Sequence, residues 1–115
     1  MYRSSSTSSS LEGSEKKSLR RIEIALNKFN EVAVPYHVDL INQHVSNIQR
    51  YERLGQLSAA HREHINAGRA VQQLKALIYD MDSLRLQLHD DDLVEFARLT
   101  AKSRQNVQEA IQNYL

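Results

Sequence analysis

The 115-residue chain has no cysteine and no tryptophan, and it contains only three glycines and one proline. Without cysteine it can form no disulfide scaffold, no thiolate zinc site and no cysteine nucleophile. Glycine and proline are too few for a turn-rich all-β fold. No apolar run approaches the roughly 20 residues that span a bilayer, and the N-terminus lacks the apolar stretch of a signal peptide. We therefore expect a soluble, helical protein.

An excess of charge of one sign is missing as well. Fifteen basic residues stand against fourteen acidic ones, for a net charge of +1. A general nucleic-acid binder carries a clear basic excess, so nucleic acid is not an expected partner. The sequence also contains no phosphate-binding glycine loop, no serine elbow and no HExxH zinc motif. We predict no catalytic residue and no cofactor, and hence no enzyme.

The first segment, 1–18, differs in composition from the rest of the chain. Serine predominates in it, and Leu11 is its only aliphatic residue. Such a segment cannot bury enough apolar surface to offset the entropy lost on ordering it. We predict a disordered tail or added leader over 1–18 and one domain over 19–115.

A stripe of mostly apolar residues follows, recurring every three or four positions, which predicts a helix. Its members are Ile22, Leu26, Phe29, Ala33, Tyr36, Leu40, His44, Ile48 and Tyr51. Pro35 lies inside this run, and proline removes an amide donor and crowds the carbonyl four residues earlier. Two short helices are therefore an alternative. Because the stripe keeps its phase across Pro35, we favour one long helix, about 16–54, kinked near Pro35.

Gly55 marks the end of this helix, because glycine adopts a left-handed conformation without steric cost. A second helix is predicted over about 57–88. Three aspartates at 90–92 then mark the start of a third helix over about 91–115, since carboxylates accept the unpaired amides of a helix start. The third helical pattern reaches the last residue without a stop signal, so we expect a truncated helix.

Three helices joined by short turns pack antiparallel, which predicts an all-α, up-down-up three-helix bundle. The small residues Ala67, Gly68 and Ala70 would let a neighbouring helix approach closely. Their helix is predicted to bury a long series of positions. These are Leu57, His61, His64, Ile65, Gly68, Val71, Leu74, Leu77, Ile78, Met81, Leu84 and Leu88.

The third predicted helix is the shortest and should leave an apolar strip uncovered at the far end of the bundle. This strip consists of Ile41, Val45, Ile48, Tyr51, Leu54 and Leu57. An uncovered strip of this kind is usually completed by another element. We predict that its exposed part binds a partner, either a downstream helix of the same protein or a second copy. The residues assigned to this contact are Ile48, Tyr51, Leu54 and Leu57.

Histidine is the one residue type that suggests a metal. His61 and His64 share a helical face, with Glu63 nearby. A di-metal bundle needs inward carboxylates from several helices, whereas the predicted inward positions here are mainly aliphatic and aromatic. We therefore predict no metal site, and we expect His44 to be half-buried and hydrogen-bonded to a neighbour.

Two short sequence motifs in the second predicted helix resemble those of a known protein family. Residues 64–69 read HINAGR and residues 71–74 read VQQL, while 19–21, 28–29 and 91–94 fit the same pattern in the same order. Together they resemble the N-terminal Habc domain of the syntaxin family of Qa-SNAREs, in the branch that acts in fusion of autophagosomes with lysosomes. The resemblance extends over about 19–115.

The resemblance implies a non-catalytic regulatory domain that is followed, in the whole protein, by a coiled-coil fusion helix and a C-terminal membrane anchor. Neither of these is in the present chain, so we expect a fragment. The implied partners are SNAP-29-like and VAMP-like SNARE proteins and the HOPS tether with its Sec1/Munc18-type subunit. The implied location is the cytosolic face of autophagosome, endoplasmic reticulum and mitochondrial membranes. Segment 1–10 does not match the N-terminal peptide through which some syntaxins bind Sec1/Munc18 proteins.

A structural module such as a spectrin-like repeat is the alternative function. Those repeats usually carry a tryptophan in the first helix, and this chain has none. A metal-binding bundle enzyme is a third hypothesis.

Overall fold

A computed structural model describes residues 16–115, which form three long helical segments. The first segment runs without a break through a 3-10 turn, an α-helix, a π-helical turn and a second α-helix. These parts are Leu19–Ile22, Glu23–Lys28, Phe29–Ala33 and Val34–Arg53. The second helix is Leu57–Arg85, and the third is Leu93–Tyr114, preceded by a 3-10 turn at Asp90–Asp92. We call these three segments the first, second and third helix.

The helices form an elongated bundle of 69 × 25 × 19 Å. The main core joins all three helices, with Phe29, Leu74 and Phe96 among its members. Outside the helices, the described part of the chain holds one isolated parallel bridge, between Lys17 and Leu88, and no strand. The prediction of an all-α three-helix bundle is confirmed.

The first helix passes through Pro35, as predicted. Pro35 is the second residue of the α-helical part Val34–Arg53, directly after the π-helical turn. In that turn the amide of Val34 donates to the carbonyl of Phe29, five residues earlier. The wider turn therefore precedes the residue that cannot donate an amide, and the helix continues instead of reversing direction.

The π-helical turn also overturns one sequence prediction, because the apolar stripe does not keep its phase. Before the turn the buried residues are the predicted ones, including Phe29. After it the next buried positions lie one residue beyond the predicted ones, at Val34 and Ile41, while Ile48 is buried as predicted. Tyr36, predicted to face inward, is 59% exposed. A π-helical turn holds one residue more than an α-helical turn, so it rotates the following side chains around the helix axis.

The N-terminal half of the second helix buries small residues rather than the predicted larger ones. Ala60, Ala67 and Ala70 are buried. Leu57, His61, His64 and Ile65 are exposed, so the prediction that they face inward is wrong. Alanines on the contact face let the first and second helices approach closely, and the larger side chains remain outside. The expected role of the small residues is confirmed.

Gly55 ends the first helix as predicted. Its φ angle is 72°. The amide of Gly55 donates to the carbonyl of Glu52 at 3.1 Å, and the amide of Gln56 donates to that of Tyr51 at 2.8 Å. This is the Schellman arrangement, which closes a helix end and needs a left-handed residue at the position of Gly55.

At the other end of the bundle, the chain ahead of the first helix binds the turn between the second and third helices. Lys17 donates its amide to Gln87, and its carbonyl accepts the amide of His89. Lys16 donates from Nζ to the carbonyl of Leu86 at 2.8 Å. Residues 1–15 lie outside the described part, so the tail predicted over 1–18 stays a prediction there.

The aspartates at 90–92 act differently from their predicted role. No side-chain bond from Asp92 caps the third helix. Instead, its Oδ2 accepts the amide of Leu19, the first residue of the first helix, at 2.9 Å. The basic residues at 16–21 lie at the same end of the bundle as these aspartates, but none of them is among the ion pairs formed within 16–115.

Candidate interaction surfaces

A groove between the second and third helices forms an apolar hollow on the described surface. Ile78 lines it from the second helix, and Val107 and Ile111 line it from the third, with Lys75 at its rim. Its volume is about 390 Å³. Val107 and Ile111 are four residues apart and thus lie one above the other on the same helix face. The groove presents a continuous apolar floor to an outside occupant.

Arg104 separates this groove from a second hollow nearer the acidic end. Its guanidinium donates to Oδ1 of Asp82 at 2.7 Å and to the hydroxyl oxygen of Thr100 at 3.2 Å. The Thr100 hydroxyl in turn donates to the carbonyl of Phe96 at 3.0 Å. The second hollow is lined by Arg104, Phe96 and Leu86, among others. The Asp82–Arg104 ion pair thus bridges the second and third helices across the floor of a longer depression.

The third helix is tied to the first by hydrogen bonds that the sequence analysis missed. Ser103 donates its hydroxyl to Oδ1 of Asn30 at 2.6 Å, and Nδ2 of Asn30 donates to the carbonyl of Leu99 at 2.9 Å. Ser103 is buried. Its only signal in the sequence is its position one helical turn before the buried Val107. These bonds hold the third helix against the first and leave its other flank facing the groove.

The third helix ends before the bundle does. The ring of Tyr114 lies 6.3 Å from that of His64, and its hydroxyl oxygen lies 3.4 Å from the position of a Cβ on Gly68. Within residues 16–115, the first and second helices extend past that level to the turn at Gly55. We call residues 50–62 the hairpin tip.

The strip predicted to be uncovered is smaller than expected. Ile41 and Ile48 are 0% and 6% exposed, so the prediction that they are bare is wrong. Val45 and Tyr51 are half-buried. Ile41 belongs to the main core, which includes Val107 and Ala110 of the third helix, and Ile48 is buried nearer the turn.

The large apolar side chains exposed at the hairpin tip are Leu54, 62% exposed, and Leu57, 70% exposed. Tyr51 is half-covered, and the guanidinium of Arg50 lies 4.9 Å from the centre of its ring. Of the four residues assigned to partner contact, only these two leucines and part of Tyr51 are accessible.

Between the tip and the main core, four polar side chains form a network across the first and second helices. Oε1 of Glu63 accepts from Nδ1 of His44 at 3.0 Å and from Nδ2 of Asn47 at 2.8 Å. Nδ2 of Asn66 donates to Oε2 of the same carboxylate at 3.2 Å. The bond from His44 and then that from Asn47 lower the pKa of Glu63 from 4.5 to about 2, against the opposing effect of burial. The expectation of a half-buried, hydrogen-bonded His44 is confirmed.

This network holds helices together and shows no arrangement for chemistry. The three other members all donate to Glu63, which has no nucleophile beside it. His61 is exposed, and Nε2 of His64 lies 3.9 Å from Oε2 of Glu52. Within 16–115, no group of three histidine or acidic side chains is close enough to hold a metal ion. No described helix has both the length and the hydropathy needed to cross a membrane.

The fold is thus a three-helix bundle with an apolar groove between the second and third helices. A family model described as the N-terminal domain of STX17-like proteins matches residues 20–115. The chain therefore belongs to the family of syntaxin 17-like N-terminal domains.

Individual relatives agree with this assignment. The chain is 43% identical to Syntaxin-17 of Mus musculus over 88 residues, 76% of this chain and 29% of the relative. It is 36% identical to Syntaxin-17 of Homo sapiens over 104 residues, 90% of this chain and 34% of the relative. The chain thus spans about a third of the length of these relatives. No solved structure matches it significantly. The resemblance carried by HINAGR and VQQL is confirmed, and the spectrin-like alternative is not retained.

Proposed function

We propose that the chain is the non-catalytic regulatory N-terminal domain of a syntaxin 17-like Qa-SNARE that acts in fusion of autophagosomes with lysosomes. The domain acts by protein–protein interaction. It binds an amphipathic helix of the fusion machinery in the groove between the second and third helices. The observation that supports this proposal is the apolar groove between the second and third helices, together with the family to which the chain belongs.

The groove has the chemistry that an amphipathic helix needs. Such a helix lays apolar residues spaced three or four apart into a hydrophobic cleft and leaves its polar face in water. Ile78 on one wall and Val107 and Ile111 on the other provide the apolar cleft. Lys75 at the rim favours an acidic residue on the flank of the occupant.

In the whole protein, the occupants we propose are its own fusion helix and the helices of SNAP-29-like or VAMP-like SNARE proteins. The HOPS tether, through its Sec1/Munc18-type subunit, is the proposed larger partner. The domain would then control when the fusion helix is available, at the cytosolic face of autophagosome, endoplasmic reticulum or mitochondrial membranes. An anchor elsewhere in the whole protein would hold it there.

The test is a titration of the isotopically labelled chain with a peptide of the coiled-coil segment of mouse Syntaxin-17, followed by NMR. We expect amide shifts concentrated around Ile78, Val107 and Ile111. Ile111→Ser should weaken binding about tenfold, since it removes most of a leucine-sized apolar contact. Lys75→Glu is a second variant that tests the groove. It changes only the surface, so it leaves the core intact.

Ile24→Ser is the matched control, because Ile24 is 82% exposed on the first helix. It should leave the affinity unchanged. Thermal unfolding of each variant separates lost binding from lost folding. Shifts spread over the outer face of the first helix, or equal weakening by Ile24→Ser and Ile111→Ser, would contradict the groove as the site.

A further inference from the structure

The hairpin tip exposes two leucines on a rigid turn. Leu54 is the last residue before Gly55, and Leu57 is the first residue of the second helix. The Schellman bonds of Gly55 and Gln56 hold the turn between them. Because the turn is already ordered, placing both leucines in an apolar environment requires no further ordering of the backbone.

The same tip is basic. Arg50, Arg53 and Arg62 are exposed within it, against a single carboxylate, that of Glu52. None of these arginines belongs to an ion pair within the described residues. Acidic residues concentrate instead at the opposite end of the bundle, around 80–95. The charge at the tip is therefore free to attract an anionic surface.

The tip is a different surface from the groove proposed above to bind a helix. The apolar groove and the hollow beside it lie between the second and third helices, at residues 75–112. Within the described residues, the tip (residues 50–62) lines neither of these two hollows. Exposed leucines beside exposed arginines are the combination of side chains that an anionic lipid interface binds.

We propose that the hairpin tip binds the surface of an anionic lipid bilayer. Leu54 and Leu57 enter the boundary between headgroups and acyl chains, and the three arginines contact the lipid phosphates and carboxylates. This contact lies on the membrane without spanning it. It is separate from the groove, so the chain can hold a helix and a membrane surface at the same time.

Vesicle sedimentation tests the proposal with the chain as it is. Vesicles of phosphatidylcholine with about one-third phosphatidylserine should bind at least about tenfold more tightly than phosphatidylcholine alone. Binding should weaken as salt is raised. The double variant Leu54→Ser, Leu57→Ser should lose about tenfold in affinity. Arg53→Gln should lower the affinity for these vesicles about fivefold.

Two controls separate the tip from the basic segment at the other end. Val94→Ser removes an apolar side chain that is 82% exposed on the third helix, and Arg21→Gln removes an exposed charge. Neither should change vesicle binding. If Arg21→Gln reduces binding and Arg53→Gln does not, the tip is not the contact and the proposal fails.

A fluorescent reporter gives an independent readout, because the chain has no tryptophan. The emission of Leu57→Trp should shift to the blue when phosphatidylserine vesicles are added and should be quenched by brominated lipids. That of Val94→Trp should not change. A response of Leu57→Trp to a polyglutamate peptide but not to vesicles would mean that the tip recognises acidic protein segments, and would overturn the proposal.

Discussion

Removing the charge of Glu63 should destabilise the bundle in a way that depends on pH. Glu63 accepts hydrogen bonds from His44 and Asn47 on the first helix and from Asn66 on the second. Its side chain is 15% exposed. Glu63→Gln keeps the size of the side chain but removes the negative charge, so it tests the charge and leaves the packing in place.

The magnitude follows from the pKa of Glu63, which the network lowers from 4.5 to about 2. One pKa unit corresponds to about 1.4 kcal/mol, so the full shift corresponds to about 3 kcal/mol. Because the network lies near the surface and is screened by water, we expect about 1–2 kcal/mol in practice. Since the pKa is lower in the folded chain, this stability is present above pH 4.5 and is lost as the pH falls toward 2.

Urea unfolding of both proteins at pH 7 and pH 3 is the assay. Glu63→Gln should be less stable than the parent by about 1–2 kcal/mol at pH 7, and the difference should fall to about half or less at pH 3. Glu23→Gln, which changes an exposed carboxylate on the first helix, is the control and should stay within about 0.5 kcal/mol of the parent. An undiminished difference at pH 3 would refute the argument, because it would show that the carboxylate charge does not stabilise the network.

Three further changes test the backbone and the packing by urea unfolding. Gly55→Ala should cost about 1 kcal/mol, because φ there is 72°; no loss would mean that the turn relaxes. Asp92→Ala should cost about 1 kcal/mol, because it leaves the amide of Leu19 without its acceptor. An unchanged urea midpoint would show that this hydrogen bond does not stabilise the bundle. Ile41→Ala should cost about 2–5 kcal/mol, and Tyr36→Ala should cost less than about 0.5 kcal/mol. The reverse order would mean that Tyr36 is buried in place of Ile41, as the apolar periodicity predicted.

The tip and the groove divide the surface of the bundle into two independent parts. Changes at Leu54 or Leu57 should leave helix binding in the groove intact, and changes at Lys75 should leave vesicle binding intact. The two proposals can therefore fail separately. A variant that affected both would indicate a change in the folded state instead of a change at either surface.

Features with a short-range physical cause were readable from the sequence. Periodic apolar residues predicted three helices, and Gly55 predicted where the first one ends, since a left-handed residue is a local requirement. The continuation through Pro35 was predicted from the same periodicity. The words HINAGR and VQQL identified the family because they are specific in themselves and need no knowledge of packing.

Features that depend on which surfaces meet were not readable in this way. The π-helical turn moved the buried face by one residue, which placed Ile41 inside and Tyr36 outside. Asp92 had an obvious local role at its own helix, yet it binds the start of the first helix, which is distant in sequence. Glu63 looked like a surface residue until the first helix brought His44 and Asn47 to it.

The sequence by itself thus determined the number of helices, their order, their turns and the family. These follow from backbone conformation and local patterning, which act within a few residues. Only the tertiary structure decided which apolar residues remain accessible at the far end. Ile48 is buried where the first helix packs against the second, while Leu54 and Leu57 lie at the turn between these helices and are exposed. Contact between helices, unlike periodicity, depends on the size of side chains that are far apart in the chain.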